Sequence, residues 1–316
     1  MNGVLIIDKP PGLTSHDVVN RIRRILNQRS VGHLGTLDPL ATGLLPMVVG
    51  SMTRLAQFYT ASDKTYEGVI RFGFATDTYD AEGEPTGVPQ QVKVSLEEVR
   101  KLSMAFRGRI EQMPPPFSAK KIHGVPAYKL ARKHKEVVLK PVEVEIKEFE
   151  ILGFADRSSE APDVGRESGV RFRARVASGT YMRSVAHDMG QKLGCGAHLE
   201  SLRRTQLGEF DISDARTLEE VQKAADEDQV EEVFVHPRKL LPQMPSVTAN
   251  EESAARIRSG RTVNLPELSR SKQVKVFYGQ RELIAIVTRV AGTLFHPKIV
   301  FATEASAQLA EINPAR

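Results

Sequence analysis

The stretch Val31 to Gly43, VGHLGTLDPLATG, holds three glycines and a proline and runs directly into the apolar segment Leu44–Val49. So many turn-forming residues exclude a regular element over its length. The spacing predicts a shaped loop that feeds a strand or a buried helix. Leu37, Leu40, Leu44 and Leu45 surround Asp38, so the loop is expected to be buried, and Pro39 stiffens the backbone just after the carboxylate. A carboxylate in such surroundings needs a partner. Spacing alone leaves two readings open: an aspartate that caps its own turn, or one held for chemistry.

Upstream of the loop, Leu13-Thr14-Ser15-His16-Asp17-Val18 has the form of a helix start. Thr14 is the N-cap, Asp17 its reciprocal partner three residues on, and Leu13 with Val18 an apolar staple. The helix is expected to run to about Gln28. Val18, Ile22, Ile25 and Leu26 form its core face, and Arg21, Arg24 and Arg29 a cationic one. Downstream, Tyr66–Phe74, Val142–Phe149 and Val170–Ala177 alternate in polarity, as half-solvated strands of an antiparallel or mixed sheet do. Asp77–Gln91, Met113–Phe117 and Asp156–Ser168 read as loops.

A second amphipathic helix follows Gly179, with Met182, Val185, Ala186, Met189 and Leu193 on one stripe and Gly194 at its stop. An acidic helix near 217–233 then leads into the proline-marked segment His236–Pro245. There we place the boundary between a first domain, residues 1–236, and a strand-rich module, residues 237–316. Within the module, Glu251–Ser259 reads as a short helix, and Val274–Tyr278, Leu283–Val290 and Lys298–Phe301 read as strands.

The chain has 316 residues, 41% of them hydrophobic, with a net charge of +5, one cysteine and no tryptophan. This supports two folded domains and argues against a disordered or fibrous chain. The single Cys195 excludes an internal disulfide and fits a small core thiol in a reducing compartment, which points to the cytoplasm. The opening MNGVLIIDKPPG is too short an apolar run for a signal peptide, and no segment reaches the roughly 18 apolar residues of a membrane span. The mild net charge conceals a polarised molecule, because residues 119–140 carry a net +6 and residues 217–233 a net −6. A basic stretch of this kind suits a polyanion such as RNA, since clustered Lys and Arg release counterions from phosphates; a solvated helix face is the alternative.

Several chemistries find no support. The eight histidines include no His-x-x-x-His pair, so no metal site is expected. A phosphate-cradling P-loop and a dinucleotide fingerprint are both missing, so no nucleotide cofactor is expected. Acyl transfer would lack a Gly-x-Ser-x-Gly elbow.

Gly32-His33-Leu34-Gly35-Thr36-Leu37-Asp38-Pro39-Leu40-Ala41-Thr42-Gly43 strongly resembles the catalytic motif of the TruB family of tRNA pseudouridine synthases. Further segments resemble the same family in the right order: Asp8-Lys9-Pro10 to Ser15, Lys64-Thr65-Tyr66-Glu67, Pro116-Phe117-Ser118-Ala119-Lys120, Gly179-Thr180-Tyr181-Met182-Arg183, and Leu202-Arg203-Arg204-Thr205. Together they span roughly residues 1–210. Leu34 and Thr36 depart from the residues most often found at their motif positions, which bears on substrate fit.

The resemblance implies conversion of uridine 55, in the TΨC loop of tRNA, to pseudouridine. The base is flipped from its stack, its N1–C1′ bond breaks, and it is rejoined through C5 without a cofactor. By the same resemblance Asp38 is the nucleophile, and Arg183 is the basic partner that keeps it charged against desolvation. Tyr66 stacks on the flipped uracil and helps move the C5 proton, Tyr181 and Leu202 wall the pocket, and His33 lies against the substrate loop. The implied fold is mixed α/β (α+β): a bent, largely antiparallel mixed sheet with Asp38 in a central cleft, followed by a small PUA-like β-barrel module. A basic insertion around 113–140, with Lys120, Lys121 and Lys133, is expected to close over RNA. The protein is expected to act on tRNA as a monomer, with no obligate protein partner and away from membranes. Two other functions stay open at this point: a pseudouridine synthase acting on another RNA, and an RNA-binding or tRNA-folding factor whose catalysis is incidental.

Overall fold

Thr14 caps the first helix as its sequence predicts: its hydroxyl accepts from the Asp17 amide at 3.1 Å, and its own amide donates to the Asp17 carboxylate at 2.9 Å. This is seen in a computed structural model that describes residues 1–90, 92–117, 139–155 and 169–301, with the backbone also at 121–122 and 125–126. Strand β1 (Gly3–Lys9) precedes the helix, α1 (Ser15–Ile25), which buries Val18, Val19 and Ile22. The helix ends earlier than expected because Asn27 takes φ +44°, a left-handed conformation that a helix cannot pass through.

The segment after the Asp38 loop is a strand, not a helix. With β2 (Val31–His33), β3 (Thr42–Val49), β4 (Lys64–Phe72) and β5 (Gly108–Gln112) it enters a nine-stranded sheet. The pair β6 (Lys121–Ile122) and β7 (Val125–Pro126) stands apart from it. Strands β8 (Val142–Phe154), β9 (Gly169–Val176), β10 (Ala197–Leu207) and β11 (Phe210–Asp211) complete the sheet. Its order is β1-β3-β10-β4-β9-β8-β5, with β2 on β3 and β11 on β10. Its ladders are antiparallel except the parallel β3–β10 join.

Helices α1, α3 (Leu96–Met104) and α4 (Met182–Lys192) cover one face, while the four-residue α2 (Ala56–Tyr59) packs in a separate apolar cluster with Val4, Ile6 and Leu44. On the covered face Val18, Val99, Val185 and Met189 meet Ile7, Ile70, Phe72 and Phe172 of the sheet. Outward residues of β10, β4 and β9 form a ladder of alternating charge: Arg203 faces Glu67, which faces Arg173, and Arg203 also grips Asp8 at 2.9 and 2.6 Å. Such opposite-charge neighbours reinforce the strand register. The acidic segment forms two helices rather than one, α5 (Leu218–Asp226) and α6 (Val230–Val233), because Asp228 at φ +60° breaks the run.

The C-terminal strands form a second sheet in the order β12-β14-β15-β16-β13, with β12 Ser246–Ala249, β13 Val263–Asn264, β14 Gln273–Tyr278, β15 Glu282–Ala291 and β16 Leu294–Val300. Helix α7 (Glu251–Arg258) packs on it, and the half-barrel fits a PUA-like module. Phe277, Leu283 and Ile286 of the module share an apolar cluster with Val4, Ile6 and Leu44 of the large sheet. Lys275 Nζ donates to Leu240 O at 2.6 Å, which ties β14 to the segment leading into the half-barrel. No helix among the described residues is long and apolar enough to cross a membrane. Lys120, Lys133 and the loop Asp156–Ser168 lie outside the described residues, as does the side chain of Lys121.

Candidate active site

The Asp38 loop is shaped by its glycines and pinned by buried polar groups. Gly43 sits at φ +92°, and a Cβ there would come within 2.4 Å of Arg204 O, so only glycine fits against β10. Ser15, at the start of α1, accepts from Leu37 N at 2.8 Å and donates to Leu37 O at 3.1 Å. Lys9 is fully buried and donates to Pro10 O, Leu13 O and Pro39 O at 2.9, 2.6 and 3.2 Å. Desolvation pulls its ammonium down to about 8.

Asp38 closes its turn with its backbone, its carbonyl accepting from Ala41 N at 3.1 Å, and so leaves the carboxylate for Arg183. Arg183 Nη2 lies 2.9 Å from Asp38 Oδ2 and Nη1 lies 3.3 Å from Asp80 Oδ2. The same guanidinium donates to Thr78 O at 3.1 Å and Phe117 O at 2.9 Å. The Arg183 and Asp80 side chains are 6% and 4% exposed, but that of Asp38 is 42% exposed, so its carboxylate is the end of this chain that opens to a cavity.

Asp80 escapes the sequence reading, which takes residues 77–91 only as a loop. Thr78 Oγ1 and Glu82 N hold its carboxylate at 2.6 and 3.1 Å. The turn is braced by Tyr79, whose φ is +66° and whose ring stacks on His187 at 3.8 Å. Nothing in local spacing distinguishes Asp80 from its acidic neighbours; its partner is 103 residues away.

Burial pushes the Asp38 carboxyl above its ordinary value, and Arg183 pulls it back only in part, while Asp80 adds to the upward push. The expected offset of desolvation by Arg183 therefore has the right sign and is not complete.

Asp38, Arg183, Tyr66, His33, Tyr181 and Leu202 all line one cavity of about 400 Å³. That is within the range of cavities that take small ligands. Tyr66 and Arg183 are buried in its wall, and Tyr181 is fixed by reciprocal bonds between its backbone and the Gln112 side chain at 2.8 and 3.0 Å. Lys64 and Arg204 complete the lining, and neither was among the expected site residues. Burial and the nearby Arg204 charge hold the Lys64 ammonium at about 8. Burial likewise lowers His33, whose Nδ1 has no hydrogen-bond partner among the described residues. Among the described residues no three His, Cys, Asp or Glu side chains are grouped to hold a metal ion.

A mixed sheet with a carboxylate–arginine pair in one cavity agrees with the pseudouridylate synthases that the motifs resemble. Residues 23–182 match the TruB family pseudouridylate synthase N-terminal domain, and residues 183–244 match the tRNA pseudouridylate synthase B C-terminal domain. The fold superposes on a chain of a Cbf5-Nop10-Gar1 complex with a TM-score of 0.68 at 25% identity, covering 96% of this chain and 86% of that one. Similar relatives include tRNA pseudouridine synthase B of Solibacter usitatus (strain Ellin6076), 48% identical over 95% of this chain and 100% of the relative. Another is tRNA pseudouridine synthase B of Aquifex aeolicus (strain VF5), 39% identical over 88% of this chain and 92% of the relative. The chain belongs to the TruB family of pseudouridylate synthases.

Proposed function

We propose that this protein isomerises uridine 55 in the TΨC loop of tRNA to pseudouridine, with Asp38 as nucleophile. Its relatives bear the name tRNA pseudouridine synthase B, and family membership supports the isomerisation of uridine in tRNA. The observation that carries the assignment of Asp38 is its carboxylate, paired with a buried arginine yet open to a nucleoside-sized cavity.

A uridine in a folded loop reaches that cavity only by leaving its stack. The ionised Asp38 forms a covalent bond to the bound nucleotide, the N1–C1′ bond breaks, the uracil turns, C5 bonds to C1′, and the bond to Asp38 breaks to return the free carboxylate. C5 loses a proton and N1 gains one, so no electrons and no external group are exchanged. Arg183 keeps Asp38 ionised and aimed. The Tyr66 ring stacks on the uracil and its phenol helps move the C5 proton, while Tyr181 and Leu202 exclude water. His33 takes the place of the extruded nucleotide. Lys120, Lys121 and Lys133, together with the module of residues 237–316, bind RNA outside the cavity, and residues 1–236 form the catalytic domain. The protein works as a cytoplasmic monomer with no metal or nucleotide cofactor.

The direct test is incubation of the purified protein, with EDTA present, with an unmodified tRNA transcript, followed by mapping of pseudouridine. Product at position 55 is expected. No product, product at another position only, or a strict metal requirement would refute the proposal.

A further inference from the structure

Arg204 is fully buried at the centre of the sheet, and among the described residues it has no carboxylate partner. Its guanidinium divides itself among three neighbours instead. Nε donates to Leu44 O at 2.8 Å and Nη2 donates to Gly35 O at 3.0 Å, while the guanidinium interacts electrostatically with the phenol of Tyr66. Tyr66 is also its direct partner across the β10–β4 ladder, next to a bulge between Arg204 and Gln206.

A buried cation without a counter-ion is costly, and a neutral side chain of similar volume would pack there at less cost. What Arg204 touches gives the reason. Gly35 and Leu44 flank Asp38 on either side in the chain, and Tyr66 stands in the wall of the same cavity. One rigid, planar fork thus joins both ends of the nucleophile's loop to the ring that faces the substrate. The planar fork of arginine holds both carbonyls at fixed angles while its charge lies against the phenol.

We infer that Arg204 is a positioning residue for pseudouridine formation, holding the Asp38 loop and the Tyr66 phenol at one fixed separation on either side of the flipped uracil. The inference rests on the roles given above to Asp38 and Tyr66. The guanidinium beside it fixes where the phenol oxygen stands in the cavity wall. There the oxygen takes the C5 proton as its own proton passes on toward N1, so Tyr66 ends as it began and Arg204 exchanges no proton.

Arg204→Lys in the whole chain keeps the charge but cannot hold both carbonyls and stay against the phenol. Its single-turnover rate on a tRNA transcript is expected to fall roughly 10- to 100-fold, with tRNA affinity unchanged within about twofold. Deuterium at C5 of the target uridine should slow this variant more than it slows the wild type. Adding Tyr66→Phe should cost no more than Tyr66→Phe alone. A wild-type rate, or a rate loss with the isotope effect unchanged, overturns the inference. A wild-type protein that forms no pseudouridine would instead overturn the proposed function itself.

If circular dichroism shows Arg204→Lys to be unfolded, the link is read from its other end. Tyr66→Phe should then speed hydrogen exchange at the Leu37 and Ala41 amides of the Asp38 loop severalfold. Unchanged exchange there refutes the coupling.

Discussion

Asp38 occupies a place that works against its own charge, since burial and Asp80 both raise its carboxyl above the ordinary value. The ionised form is needed for attack, so turnover should fall on the acid side through a pKa above that of an ordinary aspartate. Asp80→Asn removes one of the upward pushes and should move this acid limb to lower pH. The same change takes an acceptor from Arg183 Nη1 and should lower kcat; a pH–rate profile of the variant checks both effects. The raised pKa also has a consequence for stability. A carboxyl whose pKa is higher folded than unfolded penalises the folded state wherever it is ionised, and the penalty disappears as the pH falls below its unfolded value. Asp38→Asn should therefore abolish turnover while leaving tRNA binding intact, with a neutral-pH Tm no lower than that of the wild type. Thermal melts together with a filter-binding assay measure this, and a clear fall in Tm would contradict it.

At the scale of elements, local signals and distant ones part company. The capping box of α1 and the alternation of β4 and β9 were legible because their hydrogen bonds and faces lie within a few residues of each other. Strand β10, at the heart of the sheet, was recognised only as a motif. Its Glu, Arg and Gln residues break any simple alternation, and bulges shift its register at Leu199/Ser201 and at Arg204/Gln206. The polar groups of β10 are satisfied by Asp8, Gly35 and Leu44, all distant in sequence. The parallel join of β3 to β10 depends on Gly43, which pairs with Arg204. Gly43→Ala would meet a strained φ and a backbone oxygen at once, at a cost of about 3 kcal/mol in urea unfolding. It should also cost activity, because it displaces the strand that carries Arg204; a stability change below about 1 kcal/mol would show that the join tolerates a Cβ.

For the whole molecule, the net charge of +5 conceals a net +6 over residues 119–140 and a net −6 over residues 217–233. Replacing Lys120, Lys121 and Lys133 by Ala should weaken tRNA binding and reduce the slope of log affinity against log salt by roughly 3, about one per phosphate contact. An unchanged slope would assign the segment to solvent. The C-terminal half-barrel is joined to the large sheet by an apolar cluster as well as by a linker, which composition did not reveal because the residues on each side look like ordinary core. The sequence by itself determined the helix caps, the alternating strands, the turn-rich loop around Asp38 and the motifs of the family, because each of these is encoded in residues close together along the chain. Only the tertiary structure decided which carboxylate backs Arg183, which groups share the buried guanidinium of Arg204, and where β10 runs. The physical reason is that a buried charge is stabilised by whatever long-range strand register brings to it, and no local pattern of residues specifies that register.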